Sequence, residues 1–513
     1  MRCNGCARKV DAFAEDMLGE TKVTRKHKAD TDPELTAATE FAFADAFVAN
    51  SHEDWLSDDD KSSGSVWLRW LPSKRQWVIG THEAKAKMKV IIEAHTASDA
   101  KAAAKFNRAS TVNGALKVAS DQPRMHVKMS TEFDANATVA GVPGGYAVDL
   151  LTGETREATR EDRLMKALAV KPEAGPTPQF DAFMDFALGD YGDELDDLKN
   201  AILFMIGDGL RGACNPEHAI LFFQGKAGTG KSTLTKIAKI LGGGYVKPLN
   251  PERVCNDRTD HLSWMATCKG KRMICISEVQ PKPLKAEALN TLSSGDPSEA
   301  NLMRMDSEDL ESVATLFMNG NHRPRIDSPG LFRRLRLVVM DRVPPNPDPG
   351  LVDRIVADEG AAILHKAIMA RAATPLPIWP PTVAEHVKQY ELENDVVGQW
   401  MVARTEPAFG HLQDSQEAFA DYKTWCEASG FKRMLTKTKF SQALNNKGYG
   451  TEKRRIDKRT DRSYVGLRLL AVGETGSLEL HMGTEASPEH KSDPVGSIGI
   501  EPDGSDDDEA CPF

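Results

Sequence analysis

A glycine-rich turn between an apolar run and an amphipathic run constrains the fold of this chain more than any other feature. Residues 220–233 read ILFFQGKAGTGKST. Gly225, Gly228 and Gly230 allow the backbone to wrap so closely around a phosphate that its N–H groups point at it. The apolar run before the turn predicts a β-strand, and the apolar spacing after it predicts a helix over residues 232–241. This order predicts a phosphate-binding loop within a parallel α/β sheet.

The loop also carries the side chains expected at a nucleoside triphosphate site. Lys231 would reach the β- and γ-phosphates, and the Ser232 hydroxyl would bind Mg²⁺. We therefore predict ATP and Mg²⁺ as cofactors. The predicted nucleotide-binding residues are Gly225, Lys226, Ala227, Gly228, Thr229, Gly230, Lys231, Ser232 and Thr233.

Three downstream segments predict the rest of the site. Residues 271–278 (KRMICISE) predict a strand ending in Glu278, which would hold the Mg²⁺ shell or polarise the attacking water; the alternative is an ordinary solvent-facing glutamate. Residues 314–321 (ATLFMNGN) predict a buried strand ending in Asn321, whose amide would bond the γ-phosphate or the lytic water. Arg333 and Arg334 precede the last strand. One is a candidate arginine finger acting on a neighbouring subunit of a ring, and a structural salt bridge is the alternative.

Length and composition set the frame for these motifs. At roughly 100 to 200 residues per domain, a chain of 513 residues suggests about three domains. No apolar run is long enough to span a membrane and no signal peptide is visible, so we expect a cytoplasmic protein without a membrane partner. The eight cysteines fit a reduced compartment. Cys3 and Cys6 form a C-x-x-C pair, which is either part of a frayed terminus or a metal knuckle completed by a partner chain.

The net charge of −10 is unevenly distributed along the chain. Residues 471–513 hold eleven acidic residues and one lysine, so the rest of the chain is neutral overall. Within that neutral part, residues 431–470 carry twelve lysines and arginines against three acids. Such a density of positive charge is expected of a surface that contacts nucleic-acid phosphates, although solvated lysine faces are common.

Pattern and punctuation divide the chain further. Residues 36–48 and 84–114 predict helical runs, and residues 65–81 and 145–154 predict hairpins. Helices are also expected over residues 180–188 and 193–206. The predicted divisions are a flexible N-terminus (1–33), an N-terminal domain (34–175), a linker and helical collar (176–199), the ATPase core (200–345), a helical segment (346–410), a small basic domain (411–470) and a disordered acidic tail (471–513).

The order and spacing of these motifs resemble those of the superfamily 3 helicases of DNA viruses, phages and plasmids, in particular the phage and poxvirus primase-helicase type. The resemblance covers residues 36–470 roughly. In the core it is carried by GKAGTGKST, KGKRMICISE, LNTLSSGDPSEANLMR, LFMNGNHRPRI and LFRRLRLVV. Upstream, VPGGYAVDLLTGE resembles the helicase-associated N-terminal domain of that family. Downstream, FADYKTWCEASGF, KTKFSQALNNKGY and RSYVGLRL resemble its C-terminal winged helix.

The resemblance implies an α/β fold: an AAA+ type P-loop NTPase core with an α+β N-terminal domain and a C-terminal winged-helix domain. It also implies Mg-ATP hydrolysis, a hexameric homo-oligomer, and translocation on single-stranded DNA, usually 3′ to 5′. Family members commonly carry a lysine and an arginine where this chain has Asn290 and Asn301. The segment corresponding to the channel hairpin contains Arg304 among acidic residues, so either Arg304 alone reads the DNA there or the acids point away.

In the winged-helix interpretation, residues 436–446 are the recognition helix and residues 453–462 the wing. The predicted DNA-binding residues are Arg304, Lys437, Lys439, Lys453, Arg454 and Arg455.

The sequence thus predicts a replicative DNA helicase of a phage or mobile element, acting on single-stranded and forked DNA. A non-unwinding AAA+ ATPase that loads or remodels DNA-bound proteins and an origin-binding initiator are the alternatives. No carboxylate triad of a primase is visible, so we expect a separate primase. The acidic tail ends in Pro512–Phe513, which resembles the tip of bacterial single-stranded-DNA-binding proteins. It is either a solubilising tail, a docking site for replication proteins, or a competitor of DNA for the basic domain.

Overall fold

The computed structural model describes residues 38–58, 65–213, 217–255, 262–294, 298–300, 308–310, 314–431, 434–456 and 459–471. They form two compact units, one ending at Tyr390 and one beginning at Glu391. The finer domain boundaries given above remain predictions. None of the helices in the described ranges is long and apolar enough to cross a membrane.

The helices are α1 (Glu40–Ala49), α2 (Thr81–Thr96), α3 (Ala100–Phe106), α4 (Ala109–Ser120), α5 (Met129–Glu132), α6 (Pro178–Ala187), α7 (Leu195–Asp208), α8 (Lys231–Leu241), α9 (Ala286–Ser294), α10 (Leu351–Ala373), α11 (Pro381–Asn394), α12 (Val396–Arg404), α13 (Ser415–Ala428) and α14 (Lys437–Asn446). The strands are β1 (Trp55–Asp58), β2 (Val66–Leu71), β3 (Gln76–Ile79), β4 (His126–Val127), β5 (Val139–Val142), β6 (Tyr146–Asp149), β7 (Thr155–Glu157), β8 (Ile220–Gln224), β9 (Val246–Leu249), β10 (Met273–Ile276), β11 (Ser298–Ala300), β12 (Glu308–Leu310), β13 (Thr315–Gly320), β14 (Leu335–Val339), β15 (Thr405–Asp414), β16 (Thr451–Ile456) and β17 (Arg459–Leu469).

The centre of the first unit is a five-stranded sheet in the order β14-β8-β13-β10-β9, with every neighbouring pair parallel. Its three inner strands, β8, β13 and β10, are buried almost throughout, as expected where helices cover both faces. Ile220 and Phe222 belong to one core cluster, whereas Leu221 and Phe223 belong to the other, as alternating strand residues require. The structure therefore confirms a mixed α/β fold with a parallel sheet.

A smaller sheet, β3-β2-β1-β4, lies in the N-terminal part of the same unit. Helices α1, α2 and α4 pack on it around a cluster that includes Phe43, Phe47 and Trp67. The antiparallel pairing of β2 with β3 confirms the predicted hairpin at 65–81. The pairing of β6 with β7 forms a hairpin at the second predicted place, but its second strand lies just beyond the predicted bounds of 145–154, and β5 adds a third strand.

The predicted helices at 36–48, 180–188 and 193–206 are confirmed as α1, α6 and α7. The expected continuous run over 84–114 is wrong, since the chain forms α2, α3 and α4 there. The first break has a local cause. The Asp99 Oδ1 atom accepts hydrogen bonds from the backbone N–H of Lys101 at 2.8 Å and Ala102 at 3.2 Å, so it caps a new helix.

A buried arginine joins the N-terminal part to the parallel sheet. Arg272, directly before β10, is 3 % exposed. Its Nη2 atom donates to the carbonyl oxygens of Asp134, Asn136 and Val139, and its guanidinium lies 4.3 Å from the centre of the Tyr245 ring. Because these partners satisfy a buried charge, the start of β10 is tied to the segment before β5.

The second unit contains the sheet β15-β17-β16 and helices α12 to α14. Its core is aromatic: the ring centres of Phe440 and Tyr422 lie 4.7 Å apart, and those of Phe440 and Trp400 lie 5.2 Å apart. Helix α14 is followed by the antiparallel hairpin β16–β17. Its aromatic pairs give this unit a core of its own.

Candidate nucleotide-binding site

The phosphate-binding loop connects β8 to α8, as the sequence predicts. Two of its glycines admit no side chain. A Cβ atom on Gly225 would lie 1.8 Å from the carbonyl oxygen of Met340. Gly230 has φ +94°, and a Cβ atom there would lie 2.8 Å from the Phe183 ring. The loop therefore follows a path that only glycine permits at these positions, with its backbone at the cavity surface.

Lys231 is the first residue of α8 and only 5 % exposed. Its Nζ atom donates to the Lys226 carbonyl oxygen and, at 3.2 Å, to Thr229 Oγ1. Burial lowers the pKa of Lys231, and the Asp341 carboxylate partly opposes this. Both acceptors are uncharged, so a phosphate oxygen would be a stronger partner for the ammonium.

Glu278 lies two residues beyond the end of β10, at the edge of the sheet that also carries the loop. Its backbone has φ +59°, a left-handed conformation that is uncommon for residues other than glycine. Its N–H donates to Asn319 Oδ1 at 3.1 Å, and its side chain is exposed. Such strained backbone persists only where neighbours hold it, and it concentrates at functional sites.

Asn319 is a candidate site residue that the sequence analysis did not single out. It is 2 % exposed on β13, and its Nδ2 atom donates to Thr235 Oγ1 at 2.9 Å and to Ser277 Oγ at 3.3 Å. Together with the bond from the Glu278 N–H, these contacts connect α8, β10 and β13. A buried amide must find partners, so an asparagine inside a predicted buried strand was the available signal.

Asn321, the predicted residue, lies beyond the end of β13 with an exposed side chain. It lines the same cavity as Asn319. The two amides differ in that Asn319 is fixed by the protein, whereas Asn321 faces solvent.

A cavity of about 830 Å³ brings most of these groups together. Loop residues, residues after β10 and β13, and one face of α6 contribute to it. The described lining residues are Gln179, Ala182, Phe183, Phe186, Ala187, Ala227, Gly228, Thr229, Gly230, Lys231, Ser232, Thr233, Glu278, Val279, Gln280, Pro281, Asn319, Gly320, Asn321, His322, Pro344, Asn346, Pro347, Asp348, Leu351 and Arg354. Gly225 and Lys226 are not among them. Gly225 packs against the backbone of Met340.

The paired arginines lie elsewhere. Arg334 donates from Nη1 to the Asn290 carbonyl oxygen at 3.1 Å and to Ser293 Oγ at 2.9 Å, which fixes it on the end of α9. Arg333 is exposed. Neither is among the described residues that line the cavity.

The predicted DNA-binding residues lie mainly in the second unit. Lys437 and Lys439 are exposed on α14, and Lys453 is exposed on β16. Arg454 and Arg455 follow on β16. A groove of about 530 Å³ runs beside α14 and is lined by Ser415, Gln416, Lys437, Thr438, Ser441, Gln442, Asn445, Thr451, Arg462 and Tyr464. Arg304, the Cys3–Cys6 pair and the Pro512–Phe513 tip lie outside the described residues.

Two family models match parts of the sequence. Residues 42–189 match the family described as D5 N terminal like. This match overlaps the predicted N-terminal domain and supports the resemblance to phage and viral primase-helicases. Residues 223–334, which include the phosphate loop, match a family of unknown function, DUF5906.

Among solved structures, the chain is similar to the apo C-terminal region of NrS-1, with a TM-score of 0.45 and 10 % identity over 83 % of this chain and 100 % of that one. It is also similar to a ligand-bound JCV helicase, with a TM-score of 0.26 and 13 % identity over 43 % of this chain and 62 % of that one. At TM-scores below 0.5, neither likeness identifies the fold or the activity. No curated protein matches the sequence.

Proposed function

We propose that this protein is an ATP-dependent replicative DNA helicase of a phage or mobile element. The observation that carries the proposal is the convergence of Lys231, Ser232, Glu278 and Asn319 on one cavity at the carboxyl edge of a parallel sheet. Ligands of open α/β sheets bind at this edge. The resemblance to viral and phage primase-helicases is the reason for proposing DNA as the substrate of this ATPase.

The site residues fit ATP and Mg²⁺. Gly225 and Gly230 let the loop pass against Met340 and Phe183, where a Cβ atom would clash, and Lys231 Nζ is held beside uncharged acceptors. Loop N–H groups and Lys231 would hold the phosphates, while the exposed Ser232 hydroxyl and Glu278 carboxylate would hold Mg²⁺, which supplies charge neutralisation when bound. Glu278 would also orient the attacking water. Asn319 would fix the Glu278 backbone, and Asn321 would contact the γ-phosphate.

The AAA+ type core and a hexameric ring are part of the proposal. Arg334 is held on α9, away from the cavity of its own chain. The role of Arg333 or Arg334 at the site of a neighbouring subunit, which a ring would provide, rests on the family resemblance. The 3′ to 5′ direction follows from the family resemblance alone.

For the second unit we propose a winged-helix domain that contacts DNA. Helix α14 followed by the hairpin β16–β17 matches the order of recognition helix and wing. Exposed Lys437, Lys439 and Lys453 supply positive charge for DNA phosphates. The proposal also includes a DNA contact at Arg304, a separate primase, and replication proteins that dock at Pro512–Phe513.

One observation favours an origin-binding initiator as a second candidate. The groove beside α14 presents Gln442 and Asn445 with the hydroxyls of Thr438 and Ser441. Amide side chains can bond adenine edges in a duplex, so this face suits base reading as well as phosphate contact.

The proposal is tested by ATP hydrolysis with and without single-stranded DNA. A helicase should hydrolyse ATP faster when single-stranded DNA is present, because hydrolysis is coupled to translocation along the DNA. A hydrolysis rate that does not change with single-stranded DNA but rises with one duplex sequence would favour the initiator. A protein that hydrolyses no ATP under either condition would refute the proposal.

A further inference from the structure

Helix α6 has one face buried in the core and another that lines the cavity. Phe180 and Met184 are each 1 % exposed and belong to the main core. Phe183 and Phe186 lie on the other face, which lines the cavity together with Gln179. The cavity-lining positions recur at intervals of three and four residues, as one face of a helix requires. Phe186 remains 39 % exposed.

The helix is held rigidly in this position by α10. The Glu359 carboxylate, 4 % exposed, accepts hydrogen bonds from the backbone N–H of Gln179 at 2.7 Å and of Phe180 at 2.8 Å. These are two of the donors that a helix leaves unsatisfied at its start. Lys366 of α10 also pairs with Asp181 at 3.2 Å. The exposed ring of Phe186 therefore sits on a fixed support rather than on a mobile loop.

The aromatic face adjoins the phosphate loop. The Phe183 ring lies so close to Gly230 that a Cβ atom there would be 2.8 Å away. Phe186 follows three residues later, about 4.5 Å along the helix axis. Phe186 lines the same cavity as the loop, so the base of a nucleotide held by its phosphates at the loop would share that cavity with the Phe186 ring.

Two of the polar side chains that line the cavity have partners within the protein. Gln179 Nε2 donates to Asp358 at 3.0 Å, and Arg354 pairs with Asp348. The face of Phe186 is thus the surface that a planar, weakly hydrated group would cover most favourably. Aromatic rings prefer offset-stacked partners, and every nucleobase offers such a face.

We propose that α6 is the nucleobase platform of this site, with the base of the bound nucleotide stacked on Phe186. The inference rests on the proposed function, because it assumes that the loop holds a triphosphate. Phe183 supports the loop from below, and Glu359 is a positioning residue that fixes the platform without touching the ligand.

The test compares binding of ATP with binding of inorganic tripolyphosphate, which has phosphates but no base. Phe186→Ala should weaken ATP binding about 5- to 150-fold, the range expected for one lost stack. Tripolyphosphate binding should not change. Phe186→Tyr keeps the ring and should bind ATP like the wild type, whereas Phe186→Leu keeps apolar bulk without the ring and should not. Phe41→Ala, at a 69 % exposed phenylalanine of α1, is the matched control.

Unchanged ATP affinity in Phe186→Ala would overturn the proposal. Equal losses for ATP and tripolyphosphate would also overturn it, since Phe186 would then act by shaping the loop. Failure of the proposed function looks different. In that case the wild type would bind neither ligand, and Lys231→Ala would be indistinguishable from it.

Discussion

The nucleotide cavity of the first unit includes buried polar side chains, whereas the basic face of the second unit presents exposed lysines. Around the cavity, Lys231 and Asn319 are 5 % and 2 % exposed and are fixed by neighbouring side chains. On the second unit, Lys437, Lys439 and Lys453 are exposed. A buried network of hydrogen bonds depends on every residue in it. Binding by exposed charges is instead the sum of many separate contacts. Single substitutions should therefore be severe in the first unit and graded in the second.

The largest effect is expected at the cavity. Lys231→Ala removes the cation that faces the phosphates, so both nucleotide affinity and hydrolysis should fall. Glu278→Gln should keep nucleotide binding but reduce turnover by about 10²-fold or more, because the residue that orients water is lost. Hydrolysis rates and nucleotide affinities of both variants provide the measurement, with Lys236→Ala, at an exposed lysine of α8, as the control. Wild-type turnover in Glu278→Gln would remove that residue from the mechanism.

The next effect concerns the buried amide. Asn319→Ala leaves Thr235, Ser277 and the Glu278 N–H without their shared partner. We expect a loss of about 1–3 kcal/mol in the free energy of unfolding, together with slower hydrolysis. Thermal unfolding and kcat would be compared with those of Asn321→Ala, which should keep full stability. Normal turnover in Asn319→Ala combined with a strong loss in Asn321→Ala would restore the sequence-based assignment.

These two asparagines show where sequence reasoning reaches its limit. The order strand, glycine turn, helix was predictable because local chemistry specifies it, and both hairpins followed from turn residues. The choice between Asn319 and Asn321 depends on how β13 lies against α8 and β10, which is a tertiary contact. The face of α6 that carries Phe186 was likewise hidden, since an apolar helix pattern does not tell a core face from a cavity wall.

A smaller effect should appear when subunits are mixed. If Arg333 or Arg334 acts on a neighbouring site, an Arg333→Ala or Arg334→Ala subunit should lower the activity of wild-type protein by more than dilution does. The hydrolysis rate, measured across a series of mixing ratios, should then fall below the straight line that dilution alone predicts. A strictly proportional loss with both variants would assign Arg334 to its bonds with α9 and leave Arg333 without a role between subunits.

The smallest effects are expected on the basic face. Lys437→Ala, Lys439→Ala and Lys453→Ala should each weaken DNA binding modestly and lower the slope of log affinity against log salt by roughly one unit. ATP hydrolysis without DNA should not change. Lys423→Ala, at an exposed lysine of α13, serves as the control within the same unit. Unaltered salt slopes in all three variants would reassign this face to protein contacts.

The central claim is that ATP hydrolysis at this cavity separates DNA strands. Strand displacement on a forked duplex tests it most directly, with the wild type and Glu278→Gln measured in parallel with ATP and Mg²⁺. The wild type should release the displaced strand, and Glu278→Gln should bind the fork without releasing it. Robust ATP hydrolysis by the wild type on forks of either polarity without any strand release would contradict the helicase assignment and favour a remodelling ATPase.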